Sequence, residues 1–244
     1  PASGNADGTR IAAALIERGR VSLDEVVNTH DGTWKVDGRT VTDVHRAASM
    51  SFADVIRFSS NIGIIQFAER LTAGEQFEAL RDAGFGMITG VPYPSESSGR
   101  LRPVREWSGF SQASLSMGYE LSVTPLQLVL AYGAIANGGL LLEPTLVKEL
   151  RRDDGKVLQK AERRVVRRIM SEETAKTMRG LLREVVTSGT GTGANLTTYQ
   201  IAGKSGTARR MRADGKGYEE GSYTASFVGL FPAEDPQLVI RVKL

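Results

Sequence analysis

The last third of the chain predicts strands that follow one another without an intervening helix, which limits the folds open to it. Apolar and β-branched residues recur over residues 198–207, 223–231 and 238–244, and a short Pro-rich and acidic segment separates the last two. Strands joined by short connections pair antiparallel, and helical patterns precede them. The sequence therefore predicts an α+β fold: an antiparallel sheet sandwiched by helices, with a mostly helical second lobe.

The helical patterns and turn signals divide the rest of the chain. Helices are predicted near 11–18, across 52–83, from Pro125 after a Thr124 cap, and from the Ser171 cap to about residue 186. Asp37-Gly38 and Asp153-Asp154-Gly155 each predict a hairpin turn. With 244 residues and 41% hydrophobic content, the chain suits one large domain, residues 1–244. We expect a helical lobe over roughly 45–140 and a sheet lobe formed by the remainder.

One polar motif lies at the edge of the predicted sheet. Lys204, Ser205, Gly206 and Thr207 follow an apolar run. A glycine in a strand lets a substrate backbone lie flush against the sheet, the lysine supplies positive charge, and the hydroxyls supply donors. The motif predicts a carboxylate-binding edge suited to acyl transfer.

A second polar motif lies at a joint between two predicted helical segments. It consists of Ser59, Ser60 and Asn61, and a joint projects its side chains. On its own the triplet favours a helix cap, because Ser and Asn are preferred there. Together with the lysine motif, it favours a catalytic site.

The two motifs occur together in a known signature. Lys-Thr-Gly-like and Ser-x-Asn-like motifs, together with S-x-x-K, are the signature of penicillin-binding proteins and serine β-lactamases. The chain resembles the transpeptidase domain of a class B penicillin-binding protein over nearly its whole length. Further segments carry the resemblance: 117–119, 123–128, 135–139, 189–193 and 226–229.

The sequence departs from this family at one point. In the family the nucleophilic serine and its lysine precede an Ala-rich stretch similar to residues 12–21, and that register places Asn5 and Gly8 at the two positions. Ser3 follows a Pro-Ala pair, but Ala6 stands three residues later. A replaced or missing segment, a chain cut at this point and a natural pseudoenzyme would each explain the departure. We favour the first two, because the other motifs are intact.

The resemblance implies a mechanism and a set of partners. A serine attacks the penultimate D-alanyl carbonyl of a peptidoglycan stem peptide (D-Ala-D-Ala), and an amine of a second stem completes the crosslink. Ser59, Asn61 and Lys204 would be catalytic. The predicted substrate-binding residues are Ser60, Ser205, Gly206 and Thr207. β-Lactam antibiotics would acylate the same serine, and cell-wall synthesis membrane proteins would be partners.

The resemblance also implies a location. Full-length relatives carry an N-terminal membrane anchor, so we expect an extracytoplasmic domain on the periplasmic or cell-wall side. The family adds a further strand and a terminal helix to its sheet, so we expect the domain to be truncated at both ends.

Composition argues against several other classes of function. The net charge of +3 is mild and aromatic residues make up 7%, which does not favour nucleic-acid binding. There are no cysteines, and His30 and His45 show no metal-type spacing. We expect no metal and no cofactor. The longest apolar run is far below the roughly 20 residues of a membrane span.

Two alternatives remain open. A β-lactamase or β-lactam-sensing domain would share the fold and both motifs, but it is disfavoured by the cell-wall-type segment 124–139. A catalytically dead scaffold module of a cell-wall synthesis complex is supported only by Asn5 and Gly8.

Overall fold

The computed structural model describes residues 5–212 and 218–244, and the side chains of these residues except at 5–7, 208–211, 218 and 220. Ser3 therefore lies outside the described residues. The described part contains seven α-helices: α1 (Asn5–Glu17), α2 (Phe52–Arg57), α3 (Asn61–Ala68), α4 (Ala73–Asp82), α5 (Ser111–Ser116), α6 (Pro125–Ala136) and α7 (Glu172–Ser188).

The strands form one three-stranded sheet and four two-stranded pairs within the described residues. They are β1 (Val26–Asn28), β2 (Thr33–Val36), β3 (Arg39–Thr42), β4 (Ser49–Ser51), β5 (Leu140–Leu142), β6 (Glu149–Arg151), β7 (Val157–Lys160), β8 (Val165–Arg168), β9 (Ala202–Met211), β10 (Tyr218–Phe231) and β11 (Leu238–Lys243). The main sheet is antiparallel in the order β11-β10-β9, and the pairs are β1-β4, β2-β3, β5-β8 and β6-β7.

The main sheet packs against helices α1, α6 and α7. Val239 of β11 packs against the core, whereas Leu238, Ile240 and Val242 alternate with the inward residues and are about half exposed. The α+β prediction is confirmed, and the lobe boundaries near residues 45 and 140 stay a prediction.

A continuous apolar core links the helices to the sheet. The largest side chains in it with essentially no exposure include Tyr132, Phe52, Phe67, Phe85 and Leu128. Phe52 and Phe67 meet edge to face, with ring centroids 5.0 Å apart, a geometry that aromatic pairs prefer. This core fixes α1, α2 and α3 relative to the sheet, and these elements carry the candidate site.

Local sequence signals explain most helix boundaries. Thr124 and Gln127 form a capping box at the start of α6, with Pro125 in the first turn, and Ser171 caps α7 by accepting from the Thr174 N–H. The Asp37-Gly38 turn joins β2 to β3, and both residues have positive φ angles. The predicted helices and both hairpins are therefore present. The pairs β1-β4 and β5-β8 and the short helix α5 were not predicted.

No helix within residues 5–212 and 218–244 is both long and apolar enough to cross a bilayer.

Candidate active site

Ser59 lies in the joint between α2 and α3. Its φ angle is +57°, in the left-handed region that costs a non-glycine residue about 1–2 kcal/mol. Helix α3 begins immediately afterwards because Ser60 caps it, accepting a hydrogen bond from the Gly63 N–H at 2.9 Å. The joint therefore leaves the Ser59 hydroxyl outside both helices, where it meets strand β9.

Lys204 reaches this joint from the sheet. It lies on β9 opposite Val228 of β10 and is 3% exposed. Its Nζ donates to Ser59 Oγ and, at 3.2 Å, to the Ser205 carbonyl oxygen. Burial lowers the pKa of Lys204 from 10.5 to about 7, because removal from water disfavours the ammonium form. Near neutral pH a large fraction of the amine is uncharged, and an uncharged amine beside a hydroxyl can take its proton.

Thr190 extends this contact into a line of hydroxyls. Its Oγ1 lies 3.2 Å from Ser59 Oγ and 2.9 Å from Ser205 Oγ. Three separate elements, the helix joint, the segment after α7 and strand β9, thus place one hydroxyl each in a connected row that begins at Lys204.

The segment after α7 is held directly against the joint. The Thr190 N–H donates to the Arg57 carbonyl oxygen at 3.2 Å. A Cβ atom at Gly189 would lie 2.3 Å from the same oxygen, so no larger residue fits without displacing the backbone. The glycine permits the close approach that brings Thr190 to Ser59.

Asp43 fastens the joint from the other side. This carboxylate is 6% exposed and follows strand β3. It accepts hydrogen bonds from Ser60 Oγ at 2.5 Å and from the backbone N–H groups of Asn61 at 2.6 Å and Ile62 at 3.1 Å. A carboxylate at a helix N-terminus satisfies unpaired N–H groups and favours the helix dipole. Asp43 therefore fixes the start of α3 and, with it, the position of Ser59.

The first turn of α1 completes the wall of the site. A small cavity of about 20 Å³ is lined by Gly8, Thr9, Ser59, Ser60, Ser116 and Lys204 together with three apolar residues. Residue 8, the position at which the family's lysine is expected, thus lies beside Ser59 and Lys204. A Cβ atom at Gly8 would lie 2.6 Å from the Ser116 carbonyl oxygen, so α1 packs closely here.

The predicted site residues differ in how they are placed. Ser59 and Lys204 are in contact, as the family resemblance implied. Asn61 turns its amide to the Thr42 carbonyl oxygen, to which Nδ2 donates at 3.0 Å. Ser60 is buried, and its hydroxyl accepts from the Gly63 N–H and donates to the Asp43 carboxylate. The expected substrate contacts of Asn61 and Ser60 stay predictions, and the structure gives Ser60 a capping role.

The three remaining residues follow Lys204 along β9. Ser205 is half-buried, Gly206 is buried and Thr207 is exposed. Within the described strands β9 pairs with β10 alone, so its other edge is unpaired beside the joint. That edge can accept an extended peptide as a further strand.

Asp43 and Thr190 are site residues that the sequence did not predict. Thr190 lies in the glycine-rich segment 189–193, which carries the family resemblance but has no residue pattern that indicates a role. Asp43 precedes the helix it stabilises by 18 residues, and caps are recognised in a sequence only from adjacent residues. In the part of the chain that the structure describes, no group of three His, Asp or Glu side chains is placed to hold a metal ion.

Comparison with known proteins gives consistent matches. The penicillin-binding protein transpeptidase domain matches residues 9–244, beginning one residue after Gly8. Penicillin-binding protein PbpB of Mycolicibacterium smegmatis is 38% identical over 242 residues, which cover 96% of this chain and 37% of that protein. Stage V sporulation protein D of Bacillus subtilis is 35% identical over 233 residues, which cover 94% of this chain and 36% of that protein. The chain thus spans little more than a third of these relatives.

Solved structures of penicillin-binding proteins also match the fold of this chain. Penicillin-binding protein 3 from Mycobacterium tuberculosis, complexed with aztreonam, superposes with a TM-score of 0.91 at 34% identity, covering 100% of this chain and 56% of that one. Its complex with ampicillin gives the same values.

Proposed function

The chain belongs to the penicillin-binding protein transpeptidase family, and we propose that its cleft is that of a peptidoglycan D,D-transpeptidase, which takes the D-Ala-D-Ala end of a stem peptide and also binds β-lactams. The observation that carries the proposal is the contact between Ser59 and the buried amine of Lys204. The relative solved with aztreonam and with ampicillin supports the β-lactam part.

In the proposed acylation step, a serine oxygen bonds to the penultimate D-alanyl carbonyl carbon. The carbon–nitrogen bond to the terminal D-alanine breaks, and the serine's proton reaches the leaving nitrogen. Ser59 relays this proton to the leaving nitrogen. Lys204, with a pKa near 7, can exchange a proton with the Ser59 hydroxyl and so supports the relay. The amine of a second stem then attacks the ester, which forms the crosslink and releases the serine.

The edge of β9 would orient the substrate. Ser205 and Thr207 supply hydroxyl donors for the terminal carboxylate, and hydrogen bonds to an ionised acceptor are roughly twice as strong as neutral ones. Gly206 lets the peptide backbone approach. The Thr207 N–H, with that of the nucleophile, would form an oxyanion hole, in which one donor is typically worth roughly 10²–10³ in rate. Asn61 would hold the substrate amide.

The nucleophile is the incomplete part of this cleft. The family register places the serine at Asn5, the first residue of α1, and the lysine at Gly8, which lines the cavity beside Ser59. Asn5 has no hydroxyl and Gly8 has no amine. We therefore propose that the sequence with Asn5 and Gly8 binds family ligands reversibly and that restoring both residues restores acylation.

Labelling with a fluorescent penicillin tests the proposal. We expect no covalent label on the chain with Asn5 and Gly8, a stable label on the Asn5→Ser/Gly8→Lys variant, and loss of that label when Lys204→Met is added. A label that decays within minutes would identify a hydrolase instead. A restored variant that folds but takes no label would support the scaffold alternative.

Gly8→Lys must displace the Ser116 carbonyl group, so the labelling test depends on a variant with a strained helix α1. Reversible binding to the unmodified chain provides a second measurement that does not need this variant. Titration calorimetry with ampicillin should detect binding to the unmodified chain and at least tenfold weaker binding to Lys204→Met. Equal affinities would contradict the proposed cleft.

We also propose an extracytoplasmic location for the domain, with cell-wall synthesis membrane proteins as partners. A relative in Pseudomonas aeruginosa, 34% identical and named a probable peptidoglycan D,D-transpeptidase, supports this placement.

A further inference from the structure

A second cavity lies on another face of α1. Its volume is about 300 Å³, and it is lined by residues of α1 and α4, by Arg168 at the end of β8 and by the two residues that follow. Among the described residues, none lines both this cavity and the small cavity beside Lys204. The two cavities are therefore separate sites.

Arg10 is the unusual residue of this second cavity. Its side chain is 2% exposed and lines the cavity, and its Nε and Nη1 atoms have no hydrogen-bond partner. Burial lowers the pKa of Arg10 to about 10, so the guanidinium still carries its charge at neutral pH. A buried charge without a partner is costly, and proteins usually pair such groups with an acid or with a ligand.

The two acids at the cavity form their hydrogen bonds with residues other than Arg10. Glu17 accepts hydrogen bonds from Ser171, at 2.9 Å from its N–H and at 2.8 Å from its Oγ. Asp82 accepts from Arg167 Nη1 at 3.3 Å. Both acids attract Arg10 through space, but their hydrogen bonds go to other residues. The guanidinium therefore keeps free hydrogen-bonding capacity.

The lining as a whole is positive. Besides Arg10, the side chains of Arg18 and Arg168 line the cavity, against Glu17 and Asp82. The guanidinium of Arg18 pairs with Glu75, and that of Arg168 donates to the Gly138 and Met170 carbonyl oxygens, whereas Nε and Nη1 of Arg10 have no partner. A planar guanidinium favours a ligand with a flat or tetrahedral set of oxygen atoms, which it can contact in pairs. The volume is at the lower end of the range for ligand pockets, which favours a small ion over a nucleotide.

We propose that this cavity, between α1, α4 and the segment after β8, binds a small oxyanion, a carboxylate or phosphate group, on the buried side chain of Arg10. Arg10 is two residues from Gly8 on α1, so a ligand there also stabilises the helix turn that forms a wall of the cleft.

Thermal unfolding in different anions tests the site. Arg10→Met removes the charge and keeps the length of the side chain, and Arg105→Met is the matched control because Arg105 is 81% exposed. Each protein is heated in sodium phosphate, in sodium acetate and in sodium chloride at equal ionic strength. The phosphate and acetate arms show which oxyanion is preferred.

Phosphate also stabilises proteins by general exclusion from their surface, and that effect is common to all three proteins. We expect a further rise in the melting temperature, in phosphate or in acetate relative to chloride, for the unmodified chain and for Arg105→Met. Arg10→Met should lack this rise and should be at least as stable as the unmodified chain in chloride. Equal rises in all three proteins would overturn the proposal.

A second variant keeps the test decisive if Arg10→Met does not fold. Asp82→Asn removes one negative charge from the lining and should lower the dissociation constant of the preferred anion at least threefold, as measured by titration calorimetry. Unchanged affinity, or no binding of either anion to the unmodified chain, would contradict an oxyanion site at Arg10.

Discussion

The amine of Lys204 is in contact with the hydroxyl of Ser59, although 145 positions separate the two residues in the chain. The contact requires that β9, the joint between α2 and α3, and the segment after α7 pack together. It also buries a lysine beside hydroxyls, which places its titration near neutral pH.

The buried lysine predicts a pH-dependent stability. Lys204 binds its proton more weakly in the folded state, with a pKa of about 7, than in the unfolded state, where the value is near 10.5. Between these values the unfolded state holds more protons, so the free energy of unfolding rises with pH, by at most about 5 kcal/mol. Urea unfolding from pH 6.5 to 9.5 measures the slope. Lys204→Met should lack this part of the slope, and equal slopes in the two proteins would contradict the prediction.

Asp43 predicts a large loss of stability on truncation. Asp43→Ala leaves the Ser60 hydroxyl and two N–H groups at the start of α3 without their acceptor. We expect a loss of about 2–4 kcal/mol in the free energy of unfolding. Urea unfolding measures it, with Asp153→Asn in an exposed turn as the control, for which we expect a change below about 0.5 kcal/mol. A loss no larger than that of the control would show that Asp43 does not hold the joint.

Gly189 predicts a steric effect at the same joint. A methyl group in Gly189→Ala would lie 2.3 Å from the Arg57 carbonyl oxygen, so α7 and the joint must separate. We expect a destabilisation of about 2 kcal/mol, within the range for overpacking. Gly193→Ala is a close control in the same segment, because no atom lies within 4 Å of its added methyl group. Similar unfolding midpoints for the two variants would argue against a tight contact at Arg57.

Thr190 predicts a contribution to the cleft chemistry. Thr190→Val removes the hydroxyl between Ser59 and Ser205. In the Asn5→Ser/Gly8→Lys background we expect penicillin labelling to slow roughly tenfold, the equivalent of one or two neutral hydrogen bonds. Thr190→Ser should restore the rate. Thr187→Val, an exposed position one turn earlier, should label normally. Equal labelling rates with and without the Thr190 hydroxyl would show that Thr190 takes no part in proton transfer in the cleft.

The sequence predicted the elements that depend on local signals. The helix at Pro125 follows from its cap and first-turn proline, and the hairpin at Asp37-Gly38 follows from its turn residues. The convergence of Ser59 and Lys204 was predicted from the family resemblance, since no local pattern relates residues so far apart.

Other parts of the site could not be read from the sequence. The pairing of β1 with β4 joins strands of three residues, too short for a periodic pattern. Asp43 acts on a helix that is distant in the chain. Arg10 lacks hydrogen bonds at Nε and Nη1, whereas Glu17 and Asp82 accept theirs from Ser171 and Arg167. Tertiary packing determines both.

The backbone conformation of Ser59 restricts which residue can supply the hydroxyl at the joint. Threonine carries the same group, but a β-branched residue strongly avoids positive φ angles. Glycine would fit the backbone and lose the hydroxyl. Of the two residues with an aliphatic alcohol, serine is the one that tolerates this backbone conformation and still reaches Lys204. Even the conservative exchange Ser59→Thr should therefore strain the joint.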